Sequence, residues 1–375
     1  MNDIVRQEFS LKSAYLNSAY LGPTPKRARK KIQESLERTS DPSYFPYPQW
    51  FRISDQLRNQ FGDLMGVPGE QVALSTSVSE TVSLVANGAG LTEKDEVLLL
   101  EGDYPSMVLP WMLMAERKGI QVRRLPLETY LSPKKLLTEI SSKTKWVCGS
   151  HVMFNTGFRL PWEEISEACA GCDVLTLVDV SQSFGGRPVP ESILRHADVI
   201  TGVGYKWLMG PYGSAFGYFS KRALEAVQHT HASWLVSPNS MSTDDLLRYT
   251  TETLAGARKY DRGQSPSFLI SAGLEGSLGL LQECGLQNVA RHNSELVEYF
   301  LANVPSSFRP NTSKELRSNI QCLKVSGDPQ VLKAKLASAG VDVSVRQGSL
   351  RVSFHVFNTV EDVDRLLDAL EGAER

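Results

Sequence analysis

The chain has 375 residues, 41% of them apolar and 22% charged, with a formal net charge of −2. That length is ample for a large core plus a smaller second domain, and so small a net charge gives no global attraction to nucleic acid or to an anionic membrane. No apolar run reaches the length of a membrane span, the N-terminus lacks the basic and then apolar regions of a leader, and the five cysteines make no disulfide framework, so a cytoplasmic protein is expected.

In chain order, Lys26-Arg-Ala-Arg-Lys-Lys31 is a short basic cluster that reads as the solvated face of a helix. Short β-like runs then follow at 72–75, 96–100, 122–125, 145–148, 174–179, 199–201 and 214–219. Helical patterns lie between several of them, at 80–87, 106–118 and 162–170. This alternation predicts a mostly parallel sheet with helices on both faces, whose ligands bind beyond the carboxyl ends of the strands. The last third changes character. A long helical stretch at 267–303 precedes a β run at 319–325, a helix at 329–339, strands at 341–345 and 350–354, and a terminal helix at 360–370. Such a layout suits a small α+β domain, with Pro305 and Pro310 near its boundary.

Five segments carry candidate chemistry. Leu74-Ser-Thr-Ser-Val-Ser-Glu80 ends a strand in hydroxyl residues and opens a helix. Ser77 and Glu80 fit a capping box, and the first-turn N–H groups, with Ser79 and Thr76, attract an anion. Tyr104 sits at the next strand end, placed either to stack on a planar ring or to pack beside Pro105. Asp179 ends an apolar run, with Gln182 three residues on; it reads equally as the partner of a pyridinium N–H or as a helix N-cap. Lys206 lies among aromatics and glycines in Gly204-Tyr-Lys-Trp207, a setting that desolvates its amine and favours imine formation. An acid at one strand end and a lysine at the next is the arrangement that pyridoxal 5'-phosphate (PLP) chemistry needs. Arg351, in a β pattern with Arg346 five residues earlier, can hold a carboxylate by its fork.

Competing motifs fail. Gly202-Val-Gly204 lacks the third glycine of a dinucleotide fingerprint, and no phosphate-binding P-loop occurs. Cys169-Ala-Gly-Cys172 has no second pair at zinc spacing, and His229-Thr-His231 reads as a loop pair.

In order and spacing these segments resemble the class V aminotransferase family of PLP enzymes, which includes cysteine desulfurases, kynureninases and isopenicillin-N-epimerase-like proteins. The resemblance starts at Tyr15-Leu-Asn-Ser-Ala19 and Gly22-Pro-Thr-Pro25, peaks at Gly204-Tyr-Lys-Trp-Leu-Met-Gly-Pro211, and closes on Arg351-Val-Ser-Phe-His-Val-Phe-Asn-Thr359. It implies an α/β fold of PLP-dependent transferase fold type I. An N-terminal arm (1–20) would join the small domain, a large domain (21–260) would carry a mostly parallel seven-stranded sheet with helices on both faces, and 261–375 would form a long connecting helix and a small C-terminal α+β domain.

The resemblance also implies roles. Lys206 would form the Schiff base and carry protons, Asp179 would pair with the pyridine nitrogen, and Gln182 would contact the phenolic oxygen. Tyr104 would stack on the ring, where many members have His. The N–H of Val78, with Ser79 and Tyr205, would hold the phosphate, joined by Gln264 or Ser265 of the partner subunit in a homodimer. Arg351, helped by Asn17, would bind the carboxylate of an amino-acid substrate. Transamination is the first expectation, with a C–S or other β-eliminating lyase, or an epimerase, as alternatives. A PLP-fold binding or regulatory protein is the non-enzyme alternative, and the presence of both Lys206 and Asp179 argues against it. The chain departs from the desulfurase pattern at Phe154, which stands where that pattern has Asn, with Asn155 beside it. Val203 replaces a common Ser, and Cys322 lies inside an apolar β pattern rather than on a loop.

Overall fold

A computed structural model of the chain describes residues 2–44, 48–262, 267–308, 310 and 314–374. Its strands are β1 (Ala14–Tyr15), β2 (Val72–Ser75), β3 (Glu96–Leu100), β4 (Gln121–Leu125), β5 (Thr144–Ser150), β6 (Leu175–Asp179), β7 (Val199–Val203), β8 (Ala215–Phe219), β9 (Ile320–Lys324), β10 (Val341–Asp342), β11 (Ser344–Arg346) and β12 (Ser349–Ser353). The seven runs read from the sequence become one seven-stranded sheet, ordered β2-β8-β7-β6-β5-β3-β4. Neighbours from β4 across to β7 pair in parallel, whereas β8 is antiparallel to both β2 and β7.

Strand side chains alternate between two cores, as the two-residue period requires. In β3, Leu98 and Leu100 face a core holding Phe61, Trp162 and Leu278, while Val97 and Leu99 face one holding Val82, Trp111 and Met114. Helices cover both faces, so β3 is buried along its whole length and reads as a continuous apolar run. Arg58 and Asp261, both buried, tie the helix Pro48–Met65 to the segment after Tyr260, and Asp261 also accepts the Leu74 N–H of β2.

Two expectations for the last third need correction. The helix expected over 267–303 is two helices, Phe268–Cys284 and Leu286–Asn303, because Gly285 breaks the run at φ 74°. The strand expected at 341–345 also divides. Val341–Asp342 pairs in parallel with β1, while β11 pairs antiparallel with β12 in a three-stranded sheet ordered β11-β12-β9. The basic cluster does open a helix, Lys26–Ser40, but only part of it faces water. Arg27 bridges Glu8 and Glu283, and Lys31 pairs with Glu275.

Candidate active site

β8 is antiparallel to both its neighbours, so β2 runs in the direction of β7. The carboxyl ends of β2, β3, β5, β6 and β7 therefore open on one side of the sheet. A cavity of about 170 Å³ lies there, and its lining includes Val78, Ser79, Tyr104, Asp179, Gln182, Tyr205 and Lys206. Seven residues singled out from four of the five segments thus share one space, at the place where parallel sheets bind ligands.

Lys206 leaves β7 in a tight turn. Gly204 N–H donates to Ser214 O and Met209 N–H to Lys206 O, with Met209 at φ 55°. The segment before the helix Lys26–Ser40 closes over this turn: Gly22 N–H donates to Tyr205 O, and a Cβ at Gly22 would stand 2.0 Å from Lys206 O. Only glycine allows that approach. The Lys206 Nζ lies 5.6 Å from the centre of the Tyr104 ring and 5.8 Å from that of Tyr205. Burial lowers its pKa to about 8; Asp179 opposes the shift, and Arg351 and Arg346 add to it.

Asp179 is 5% exposed and accepts the Ser181 N–H at 2.7 Å. Burial raises its pKa, against the hydrogen bonds from Ser181 and the charge of Lys206. Gln182 is held at both ends of its amide. Nε2 donates to Ala19 O at 3.1 Å, and Oε1 accepts the Trp207 indole N–H at 3.1 Å. An indole only donates and a carbonyl only accepts, so the amide orientation is unambiguous. Gln182 has left a second N–H on Nε2 and a second lone pair on Oε1.

At the β2 end, Ser77 caps the helix Val78–Gly88 by accepting the Glu80 N–H at 3.2 Å. The expected capping box is incomplete. Glu80 reaches back to the N–H and hydroxyl of Thr76, not to Ser77, and also pairs with Arg262. Thr76 is therefore occupied and is not the hydroxyl donor expected of it. Ser79 is exposed, and its hydroxyl donates to Ser106 at 2.8 Å. Tyr205 packs against Tyr212 with ring centres 4.6 Å apart, and burial raises its pKa to about 12. Tyr104 is 43% exposed and meets Phe154 edge-on at 5.2 Å.

Arg351 and Asn17 are not among the residues lining this cavity. Arg351 sits behind its wall, donating from Nε to Ser344 Oγ and from Nη1 to Phe154 O, with Nη2 buried and unpartnered. Burial lowers its pKa to about 10. Asn17 is turned to the strands, its amide donating to Asp342 while its backbone bridges Ser353. Asn155 donates to Gln347 across to the β11–β12 hairpin, so it is held away from the cavity. Gln264 and Ser265 lie outside the described residues.

Asp103 was not singled out from the sequence. It is 7% exposed, accepts Tyr104 N–H, Ser150 N–H and Ser150 Oγ–H, and joins the ends of β3 and β5. Burial raises its pKa to about 6, helped by the nearby charge of Asp179. Its position directly before Tyr104 was visible in sequence, but the Ser150 contact crosses 47 residues and was not. Ser181, Ser150 and Phe154 line the cavity for the same reason: each follows or ends a strand.

Among the described residues no cluster of three or more His, Cys, Asp or Glu is placed to hold a metal, and no helix is long and apolar enough to cross a membrane. His229 and His231 face each other at 5.1 Å, and Cys169 and Cys172 are free thiols.

Residues 48–366 match the family model described as aminotransferase class-V. The chain belongs to the class V aminotransferase family. It is 26% identical to an isopenicillin N epimerase of Streptomyces clavuligerus, over 95% of this chain and 94% of that one. It is also 26% identical to a probable cysteine desulfurase of Aeropyrum pernix, over 82% of this chain and 80% of the relative. Among solved structures, the cystine C–S lyase C-DES, in complex with cysteine persulfide, superposes with a TM-score of 0.83 at 22% identity, covering 96% of this chain and 97% of that one. The architecture is fold type I, and the class V family is PLP-dependent, so the chain is a PLP enzyme of that family.

Proposed function

We propose that this class V enzyme acts on an α-amino acid and that Lys206 is both the attachment point for PLP and the base that moves the proton at the substrate Cα. The observation that carries the reading is a desolvated lysine, with its pKa lowered to about 8, sharing a small cavity with a buried, underpaired aspartate.

The residues fit the group. Asp179 is a buried carboxylate in want of a cationic partner, which a pyridinium N–H supplies. The free N–H of Gln182 suits a hydrogen-bond acceptor such as a phenolic oxygen. The first-turn N–H groups of Val78 and Ser79, with the hydroxyl of Tyr205 and, once turned from Ser106, that of Ser79, suit a phosphate. Tyr104 offers a ring face, and Gln264 or Ser265 of a second copy would complete the phosphate end in a homodimer. The exposed apolar side chains Leu109, Met112 and Leu113, on the helix that follows Tyr104, support such a pairing. When bound, PLP supplies a carbonyl that condenses with amines and a ring that takes up the electrons of a broken Cα bond.

The chain's own residues do the rest. Asp179 keeps a positive charge at the ring end of the cavity. Lys206, half neutral near pH 8, removes and returns a proton. Arg351, whose Nη2 is unpartnered, takes the substrate carboxylate after a shift of Phe154. This last step is a local loop adjustment of a kind common when substrates bind.

Transamination, β-elimination and epimerisation all begin with that proton. Epimerisation is supported by the end-to-end likeness to an isopenicillin N epimerase, and β-elimination by the likeness to probable cysteine desulfurases over as much of the chain. Sulfur transfer to a protein cysteine is disfavoured. Cys322, on β9 beside Arg351, is half-buried, and burial raises its pKa to about 12. The test is a panel of L- and D-amino acids, read by the visible spectrum of the bound cofactor and by products. Inversion at Cα without an acceptor marks an epimerase, pyruvate with ammonia a lyase, and a 2-oxo acid only with an acceptor a transaminase. If Lys206→Ala leaves the cofactor spectrum unchanged, the whole reading fails.

A further inference from the structure

A closed ring of hydrogen bonds runs behind the cavity. Ala19 N–H donates to Ser353 Oγ at 3.0 Å, and Gln182 Nε2 donates to Ala19 O at 3.1 Å. Trp207 Nε1 donates to Gln182 Oε1 at 3.1 Å, and His355 Nε2 lies 2.8 Å from Trp207 O. The backbone from Ser353 to His355 closes the circuit. The carbonyl accepts, so Nε2 carries the imidazole proton, and Nδ1 is bare.

The ring passes close to every reactive group. Trp207 follows Lys206 directly, Gln182 lies three residues after Asp179, and Ser353 lies two after Arg351. It also ties the N-terminal arm and β12 to the turns after β6 and β7. Trp207, His355, Ser353 and Ala19 are each 1% exposed or less, so their hydrogen bonds act without competition from water.

Two observations separate this from ordinary packing. His355 Nδ1 is buried with no partner, an acceptor left unsatisfied at a cost that leucine or phenylalanine would avoid. The room beside the Trp207 carbonyl is also fixed by glycine. At Gly185, φ is 101°, and an added Cβ would stand 2.5 Å from Trp207 O.

We propose that His355 is a positioning residue for Lys206 and Gln182, acting through Trp207. It anchors the carbonyl next to Lys206. Through the Trp207 indole, it locks the Gln182 amide with its remaining N–H available to the cofactor's oxygen. Without the lock, the amide is free to turn over and present an acceptor there.

The inference rests on the PLP reading above, so the test begins by confirming that the unsubstituted protein binds PLP. If it does not, that reading falls, and this one falls with it. PLP affinity by equilibrium dialysis and the visible spectrum are then compared across four variants. His355→Leu and Trp207→Phe each weaken PLP roughly ten-fold and shift the visible band. His355→Gln, which keeps a donor near the Nε2 position, restores both to near the unsubstituted protein. The double variant His355→Leu/Trp207→Phe is no weaker than the worse single, because both changes open the same ring. Unchanged affinity and spectrum in His355→Leu, or losses that simply add in the double variant, overturn the proposal. Should His355→Leu fail to fold by near-ultraviolet circular dichroism, Trp207→Phe and His355→Gln decide. A Trp207→Phe protein indistinguishable from the original, or a His355→Gln protein as weak as Trp207→Phe, is the overturning result.

Discussion

Asp261 and Asp179 are both almost wholly buried, at 1% and 5% exposure, yet they are treated differently. Asp261 takes both arms of the Arg58 guanidinium, at 2.6 and 2.5 Å, and the Leu74 N–H at 2.9 Å. Asp179 accepts the Ser181 N–H, and the cation that shares its cavity, Lys206, is itself made easier to deprotonate. The first acid is neutralised by a fixed partner and ties elements together. The second is held only by hydrogen bonds from Ser181, with no ion pair to it among the described residues, which fits the proposed role of pairing with a cationic guest. Buried charge in this chain therefore separates framework from site by how completely it is paired, and the contrast can be broken in several ways.

Lys206→Ala should have the largest effect. Removing the proposed proton carrier should cost up to ~10⁴-fold in turnover, measured with any accepted amino acid, while thermal stability holds or rises. Asp261→Ala should do the reverse: leaving Arg58 buried and alone costs ~3–5 kcal/mol, read from the urea midpoint. Asp179→Asn sits between them. It should cost ~10²–10³-fold in turnover but under ~1 kcal/mol of stability, because no fixed partner is stranded. A large stability loss in Asp179→Asn would erase the distinction. Gly22→Ala forces a methyl group against the Lys206 carbonyl and should cost ~1–3 kcal/mol, with weaker PLP binding.

The smallest effect is on pH. Capture of PLP needs the neutral amine, so its rate should rise about ten-fold per pH unit and level off near pH 8, where the lowered pKa of Lys206 lies. An ordinary lysine would keep rising through pH 10. Asp179 holds that pKa up, so in Asp179→Asn the levelling should move to lower pH.

Much of the fold was legible in sequence. All seven runs of the large sheet were found: central strands buried on both faces, such as β3, are continuous apolar runs, whereas the edge strand β4, Gln121-Val-Arg-Arg-Leu125, is marked only by its place in the alternation of strands and helices. Two errors in the last third have local causes. Gly285 interrupts a helical pattern without changing its apolar spacing, and the break at Val343 separates two strands that pair with different partners. Among the site candidates, Lys206, Asp179, Gln182, Tyr104, Tyr205, Val78 and Ser79 converge because each sits at a strand end, which sequence can mark. Asp103's tie to Ser150, Thr76's capture by Glu80 and the retreat of Arg351 behind Phe154 depend on contacts between distant segments, which no local pattern encodes.

By itself, the sequence determined which chemistry the chain carries. Residue types at strand ends and their order along the chain mark a lysine, an acid and a hydroxyl-rich turn, and their resemblance to the class V family marks them as one site. Only the tertiary structure decided how those groups are tuned. The pKa of Lys206, the fixed amide of Gln182 and the ring through His355 arise from burial and from partners up to 334 residues apart. The reason is physical: charge and hydrogen-bond direction are set by what surrounds an atom in space, and in a doubly covered sheet those surroundings come from every part of the chain.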